Sequence, residues 1–180
     1  MKVVAIVGMA GSGKSEVARM FEKAGFTRIR FGDVTDDELK KRGQELNEDN
    51  ERRVRELLRE EHGMAAYAKL NLPRIEAALT GSDVVVDGLY SWEEYIFLEE
   101  HYGESLCLVA VWTPPAVRYA RLGGRGNRPL TPDEAATRDR AEIENSHKGG
   151  PIAVADFIII NESSVEDLRE QTQRIIKGMV

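Results

Sequence analysis

The octapeptide Gly8-Met9-Ala10-Gly11-Ser12-Gly13-Lys14-Ser15 fits G-x-x-x-x-G-K-[ST] at every fixed position. The residue types have physical reasons. Gly8, Gly11 and Gly13, with Ser12 between them, let the backbone turn tightly enough to aim successive amide N–H groups at phosphate oxygens. A helix starting near Ser15 adds the positive end of its dipole. Lys14 supplies a cation for the β and γ phosphates, and the Ser15 hydroxyl is a candidate Mg²⁺ ligand. A chance match would lack the flanks found here: the apolar run Val3 to Val7 before the loop and an amphipathic pattern, Ser15 to Ala24, after it. The chemistry implied is the binding of a nucleoside triphosphate, with ATP and Mg²⁺ as the expected cofactors.

Three further groups could act on such a ligand. Val84-Val85-Val86-Asp87-Gly88 is an apolar strand ending in a carboxylate. In an open parallel sheet the carboxyl edge of the strands holds the ligand crevice, so Asp87 is a candidate for Mg²⁺ or for orienting an acceptor. A plain Asp-Gly turn would look the same. Phe31-Gly32-Asp33 puts a second carboxylate at that edge, suited to taking an acceptor's proton; its alternative is the start of a helix. Arginines then gather in one stretch: Arg118 and Arg121, then Arg125 and Arg128 in Gly123-Gly124-Arg125-Gly126-Asn127-Arg128-Pro129, then Arg138 and Arg140. Guanidiniums match the charge spread over a transferring phosphoryl group, and the glycines permit a closing flap that excludes water. Arg121 and Arg125 are the catalytic candidates, with Lys14, Asp33 and Asp87.

The elements that must position these groups alternate between apolar runs and helical patterns. Strands are expected at Val3 to Val7, Thr27 to Phe31, Asp83 to Asp87, Leu106 to Trp112 and Phe157 to Ile160. Helices are expected at Ser15 to Ala24, Ser91 to His101 with Ser91 as N-cap, Pro114 to Leu122, Thr131 to Ser146 and Val165 to Lys177. Thr35 to Leu79 reads as helical, broken near Arg42-Gly43 and His62-Gly63. The fold class is α/β: a doubly wound, five-stranded parallel sheet with helices on both faces. It forms one domain, 1–180, with a helical acceptor-side insert at 35–80 and a lid at 120–140.

The rest of the chain narrows the class. An N-K-x-D base-reading motif is absent, which argues against a GTPase, and no L-S-G-G-Q-like signature is present. The length reads as short for an AAA module. With these features in order the chain resembles the P-loop nucleotide kinases, in the branch of adenylate kinase and dephospho-CoA kinase. It is similar to a prokaryotic adenylate-kinase-like family in G-M-x-G-S-G-K-S, in Gly32-Asp33-Val34, in His62-Gly63-Met64-Ala65-Ala66 and in Val85-Val86-Asp87-Gly88. Ala155 to Ser164 resembles the final strand and adenine-side loop of dephospho-CoA kinase, which implies that Asn161 borders the adenine. Arg128-Pro129-Leu130 suggests shikimate kinase as a further relative. The chain departs from adenylate kinase at Leu89-Tyr90-Ser91, where an arginine would grip the acceptor phosphate. The resemblance therefore implies a kinase for a small nucleotide-like acceptor, with AMP a poor acceptor unless Arg30 or Arg74 compensates. A nucleotide-dependent switch is the alternative.

Composition sets the remaining bounds. A chain of 180 residues with 42% hydrophobic residues can build one ordinary core, and a net charge of −6 gives no global support for nucleic acid. The single cysteine, Cys107, excludes an internal disulfide framework and fits a cytoplasmic protein. His62, His101 and His147 have no metal-ligand spacing. No membrane partner is expected, because the first apolar run is too short to span.

Overall fold

The structure, a computed structural model, describes residues 1–126 and 129–179. Five strands form one parallel sheet: β1 (Val3–Val7), β2 (Thr27–Arg30), β3 (Val84–Asp87), β4 (Leu106–Trp112) and β5 (Phe157–Ile160), in the order β2-β3-β1-β4-β5. β1 lies at the centre, with Val3 opposite both Val84 and Leu106. Its five residues are fully buried, as expected of a strand covered on both faces. The alternation of a strand sorts them. Val3, Ala5 and Val7 join one core cluster, and Val4 and Ile6 join the other.

Among the described residues, α1 (Lys14–Lys23) and α9 (Val165–Met179) cover one face through Val17, Phe21, Leu168 and Ile175. The opposite face is covered by α2 (Asp33–Lys41), α3 (Glu48–His62), α4 (Ala66–Leu79), α5 (Trp92–Tyr102) and α8 (Gly149–Ala153). The interruptions expected near Gly43 and Gly63 are there, because both residues take positive φ angles that end a helix cheaply. Ser91 caps α5 by accepting from the Glu94 N–H at 3.1 Å. α6 (Pro115–Gly123) and α7 (Pro132–Glu144) stand over the glycine loop and make a small third cluster with Ala10, Leu122 and Ala135. α7 opens with a reciprocal capping box between Thr131 and Glu134.

The differences from the sequence reading are local. The expected helix Thr131 to Ser146 stops at Glu144, and α8 follows as a separate turn. His147, with φ of 49°, breaks the run. Arg128 lies outside the described residues.

Candidate active site

The glycine loop joins the end of β1 to α1, so it emerges at the carboxyl edge of the central strand. Gly11 and Gly13 have φ of 80° and 97°, where a side chain would be strained. Space is short as well: a Cβ on Gly13 would run into the Asn161 amide, and one on Gly8 into the Val111 carbonyl. Lys14 is the first helical residue and keeps partial exposure, while its ammonium turns inward and donates to the Met9 carbonyl at 3.0 Å. Burial, and then the nearby charge of Lys148, bring its pKa down to about 7, although Glu142 and Asp87 act the other way.

Asp87 ends β3 with its side chain 6% exposed. Ser15 donates its hydroxyl to Asp87 Oδ1 at 3.2 Å. The other oxygen is taken by Arg28, whose Nε donates at 3.1 Å and whose terminal nitrogen donates as well. No group of three or more His, Cys, Asp or Glu among the described residues could hold a metal. Mg²⁺ does not need one, since it keeps water and phosphate oxygens around one or two protein ligands. The Ser15 hydroxyl and Asp87 Oδ1 are hard oxygen donors in contact, and they fit that ion. Asp33 is the first residue of α2, capped by Gly32; its half-exposed carboxylate pairs with Arg30 at 3.0 Å.

On the other flank, Asn161 follows β5 and ties that strand to the loop. Its side-chain amide donates to the Ser12 carbonyl at 2.8 Å, and its backbone N–H donates to Trp112. Arg121, on α6, donates to Asn161 Oδ1 at 3.4 Å; its other terminal nitrogen is buried and unpartnered. Arg118 belongs to the architecture. It bonds both oxygens of Asp139 at 2.7 and 2.6 Å and reaches the Ala10 and Thr113 carbonyls. Arg125 is exposed, and desolvation followed by the charge of Arg138 lowers its pKa.

Five residues that the sequence reading did not place in a site stand beside these. Arg28 is the first. Lys148, 4% exposed at its side chain, pairs with Glu142 at 2.8 Å. Its ammonium also lies 5.7 Å from the Tyr90 ring centroid. Burial pushes the Glu142 pKa up, but Lys148, Lys14 and Arg138 outweigh it and bring it to about 2. Glu94 is fully buried; one of its oxygens accepts from the Tyr90 N–H at 2.8 Å. Arg59 lies 6.0 Å from the Tyr67 ring centroid, and Tyr67 meets Tyr90 edge-on at 5.4 Å. In sequence, Glu94 looks only like an acidic residue in a first turn, and Lys148 like part of a Gly/Pro-flanked turn. The two arginines considered as compensation for Tyr90 are paired elsewhere: Arg30 with Asp33 and Arg74 with Asp37. Trp92 packs against Gly150, where a Cβ would run into its ring.

Glycine loop, parallel sheet and flanking helices together define a P-loop nucleotide-binding fold of the kinase type. Solved structures share it. A TM-score of 0.70 relates the chain to TT1252 from Thermus thermophilus, at 17% identity over 99% of this chain and 98% of that one. Shikimate kinase from Bacteroides thetaiotaomicron gives 0.64 at 14% identity, with the same coverages. Dephospho-CoA kinase from Campylobacter jejuni gives 0.60 at 18%, again over 99% and 98%. A family model described as an AAA domain, AAA_18, matches residues 4–145. That match sets aside the reading of the chain as short for an AAA module. The UPF0200 protein TK1334 of Thermococcus kodakarensis is 38% identical over 99% of this chain and 98% of its own length. The UPF0200 protein of Thermococcus gammatolerans is 37% identical over 99% and 95%. The chain belongs to the UPF0200 family and to the AAA_18 domain family.

Proposed function

We propose that the protein is a Mg²⁺-dependent phosphotransferase that moves the γ-phosphate of ATP onto a small nucleotide-like acceptor, either a nucleoside monophosphate or a dephospho-CoA-like hydroxyl. The observation that carries this reading is the contact of Ser15 with Asp87 at 3.2 Å beside the Lys14 loop. Residues 35–80 then serve the acceptor side, and residues 120–140 the lid, of one domain. In the transfer, the γ-phosphorus forms a bond to the acceptor oxygen and its bond to the β–γ bridging oxygen breaks. A hydroxyl acceptor also loses its proton, and Asp33, at the start of α2, is the group that would take it. Lys14 and the loop amides hold the phosphates, and Ser15 and Asp87 would hold Mg²⁺, which supplies charge neutralisation on the phosphate oxygens. Asn161 borders the adenine, and Arg121 and Arg125 reach from the lid to the charge on the transferring phosphoryl group.

The test is ADP formation from Mg-ATP against a panel of nucleoside monophosphates, dephospho-CoA and small alcohols. An acceptor that stimulates ADP formation and leaves as a phosphorylated product supports the reading. ATP binding with no stimulated transfer would favour the switch, which Tyr90 in place of an acceptor arginine also favours. Use of ATP and the single thiol fit a cytoplasmic protein; among the described residues no helix is long and apolar enough to cross a membrane.

A further inference from the structure

Arg59 sits on α3, where Arg52 pairs with Asp49 and Arg55 with Glu51. It forms no ion pair among the described residues, and its Nε is buried without a hydrogen-bond partner. Its guanidinium lies 6.0 Å from the Tyr67 ring centroid. Glu94, on α5, is fully buried and only half used. One oxygen accepts from the Tyr90 N–H at 2.8 Å, and the other has no partner. A helix cap needs only that first oxygen, so capping does not account for the second. Leaving a buried polar atom unpaired is costly, so two such atoms ask for a partner. Tyr67 and Tyr90 connect the two groups, and Lys148 above Tyr90 leads on to the glycine loop, since its charge acts on Lys14 as well as on Glu94.

We propose that Arg59 and Glu94, joined by Tyr67 and Tyr90, form the acceptor subsite, and that its ligand is a small hydroxylated organic anion whose carboxylate or phosphate pairs with Arg59 while an oxygen of it bonds to Glu94. This rests on the phosphotransferase reading and names its substrate class. The chemistry is consistent at each group. A guanidinium matches either anion in a two-pronged geometry. Burial raises the Glu94 pKa to about 8, so at neutral pH it carries a proton on its free oxygen and donates. A neutral Glu94 cannot cancel Arg59, which leaves that cation for a ligand. Lys148 differs, because Glu142 already neutralises it. Anchoring the anion at Arg59 directs the rest of the ligand past Tyr90 towards Lys148 and Lys14, so the anion anchors the acceptor and a hydroxyl receives.

Calorimetry on the whole protein separates this proposal from the reading beneath it. The non-hydrolysable ATP analogue AMPPNP is titrated first, with Mg²⁺; failure to bind would remove the phosphotransferase reading itself. The loaded protein is then titrated with AMP and dephospho-CoA as phosphate probes, shikimate as a carboxylate probe, and adenosine as the neutral counterpart of AMP. At least one anionic probe should bind, and whether phosphate or carboxylate probes bind identifies the anion. Arg59→Met should weaken that probe about tenfold or more, the typical loss of one charge-assisted bond, with AMPPNP affinity unchanged. Arg59→Lys should fall between. Glu94→Gln, which keeps a donor, should retain binding, and Glu94→Leu should lose it. The proposal is overturned if no anionic probe binds the loaded protein, if adenosine binds as well as AMP, or if Arg59→Met leaves the probe affinity unchanged.

Discussion

Lys148 and Glu142 meet at 2.8 Å, joining the turn before α8 to α7 near enough to the glycine loop for both charges to act on Lys14. The turn is fixed from several sides. The Trp92 N–H donates to the Ser146 carbonyl at 3.2 Å, His147 meets Glu93 at 3.1 Å, and Gly150 packs under Trp92. The Lys148 ammonium is therefore held in place, and Glu142 neutralises it.

Removing one charge from that pair should cost more than removing both. Glu142→Gln leaves Lys148 buried without its counter-charge, at a cost of about 3–5 kcal/mol. The double change Glu142→Gln with Lys148→Met should recover much of this. Urea unfolding of the four proteins completes the cycle. A Glu142→Gln protein that loses less than about 1 kcal/mol would show that the pair contributes little.

Lys14→Ala should leave the fold intact and reduce ADP formation on the order of 10²–10³-fold, the usual loss for one preorganised charge-stabilising group. A second signature is protonic. With its pKa brought down to about 7, Lys14 is mostly neutral at pH 8 and mostly charged at pH 6. A bound triphosphate restores the charge, so ATP binding should take up protons at pH 8 and nearly none at pH 6. Titration calorimetry in buffers of different ionisation enthalpy measures this, and the uptake should vanish in Lys14→Ala.

Asp87 and Asp33 should separate by kinetics. Asp87→Asn should raise the Mg²⁺ concentration needed for half-maximal turnover. Asp33→Asn should slow transfer while ATP still binds. Changes confined in both variants to ATP affinity would contradict this division of labour.

How far the sequence reveals this arrangement depends on the kind of signal. The glycine loop is legible because its signal is local: every residue that turns the backbone there lies within eight positions. The strands are legible because burial on both faces leaves uniform apolar runs such as Val3 to Val7. Arg28 is not legible, since its partner Asp87 is brought opposite only by pairing of β2 with β3. Glu94 and Arg59 are hidden for the same reason. Each looks like an ordinary charge on a helix until α3, α4 and α5 pack together. Arg118 shows the reverse error, because its place in an arginine-rich stretch suggests phosphate chemistry while Asp139 holds it as structure.

Glu94 should make stability depend on pH in a way that one isosteric change removes. Its pKa is about 8 in the folded protein and 4.5 as the ordinary value, raised first by burial, with the Tyr90 N–H and the charge of Arg59 opposing. Between these values the folded state binds a proton that the unfolded state has lost. The slope of unfolding free energy with pH is then negative, so this group's contribution is fully present below about pH 4.5 and is lost as pH rises through about 8. Lys14 acts with the opposite sign, between about 7 and 10.5, so raw stability curves mix the two. The difference between unmodified protein and Glu94→Gln isolates Glu94, because glutamine can still accept from the Tyr90 N–H and does not titrate. The two proteins should be similar near pH 5, and the variant should be more stable near pH 8 by a few kcal/mol, at ~1.4 kcal/mol for each pH unit crossed between the two pKa values. Denaturant unfolding at half-unit pH steps gives the curves. If they run parallel from pH 5 to 8, Glu94 titrates normally in the folded protein, and its free oxygen is not a proton donor at neutral pH.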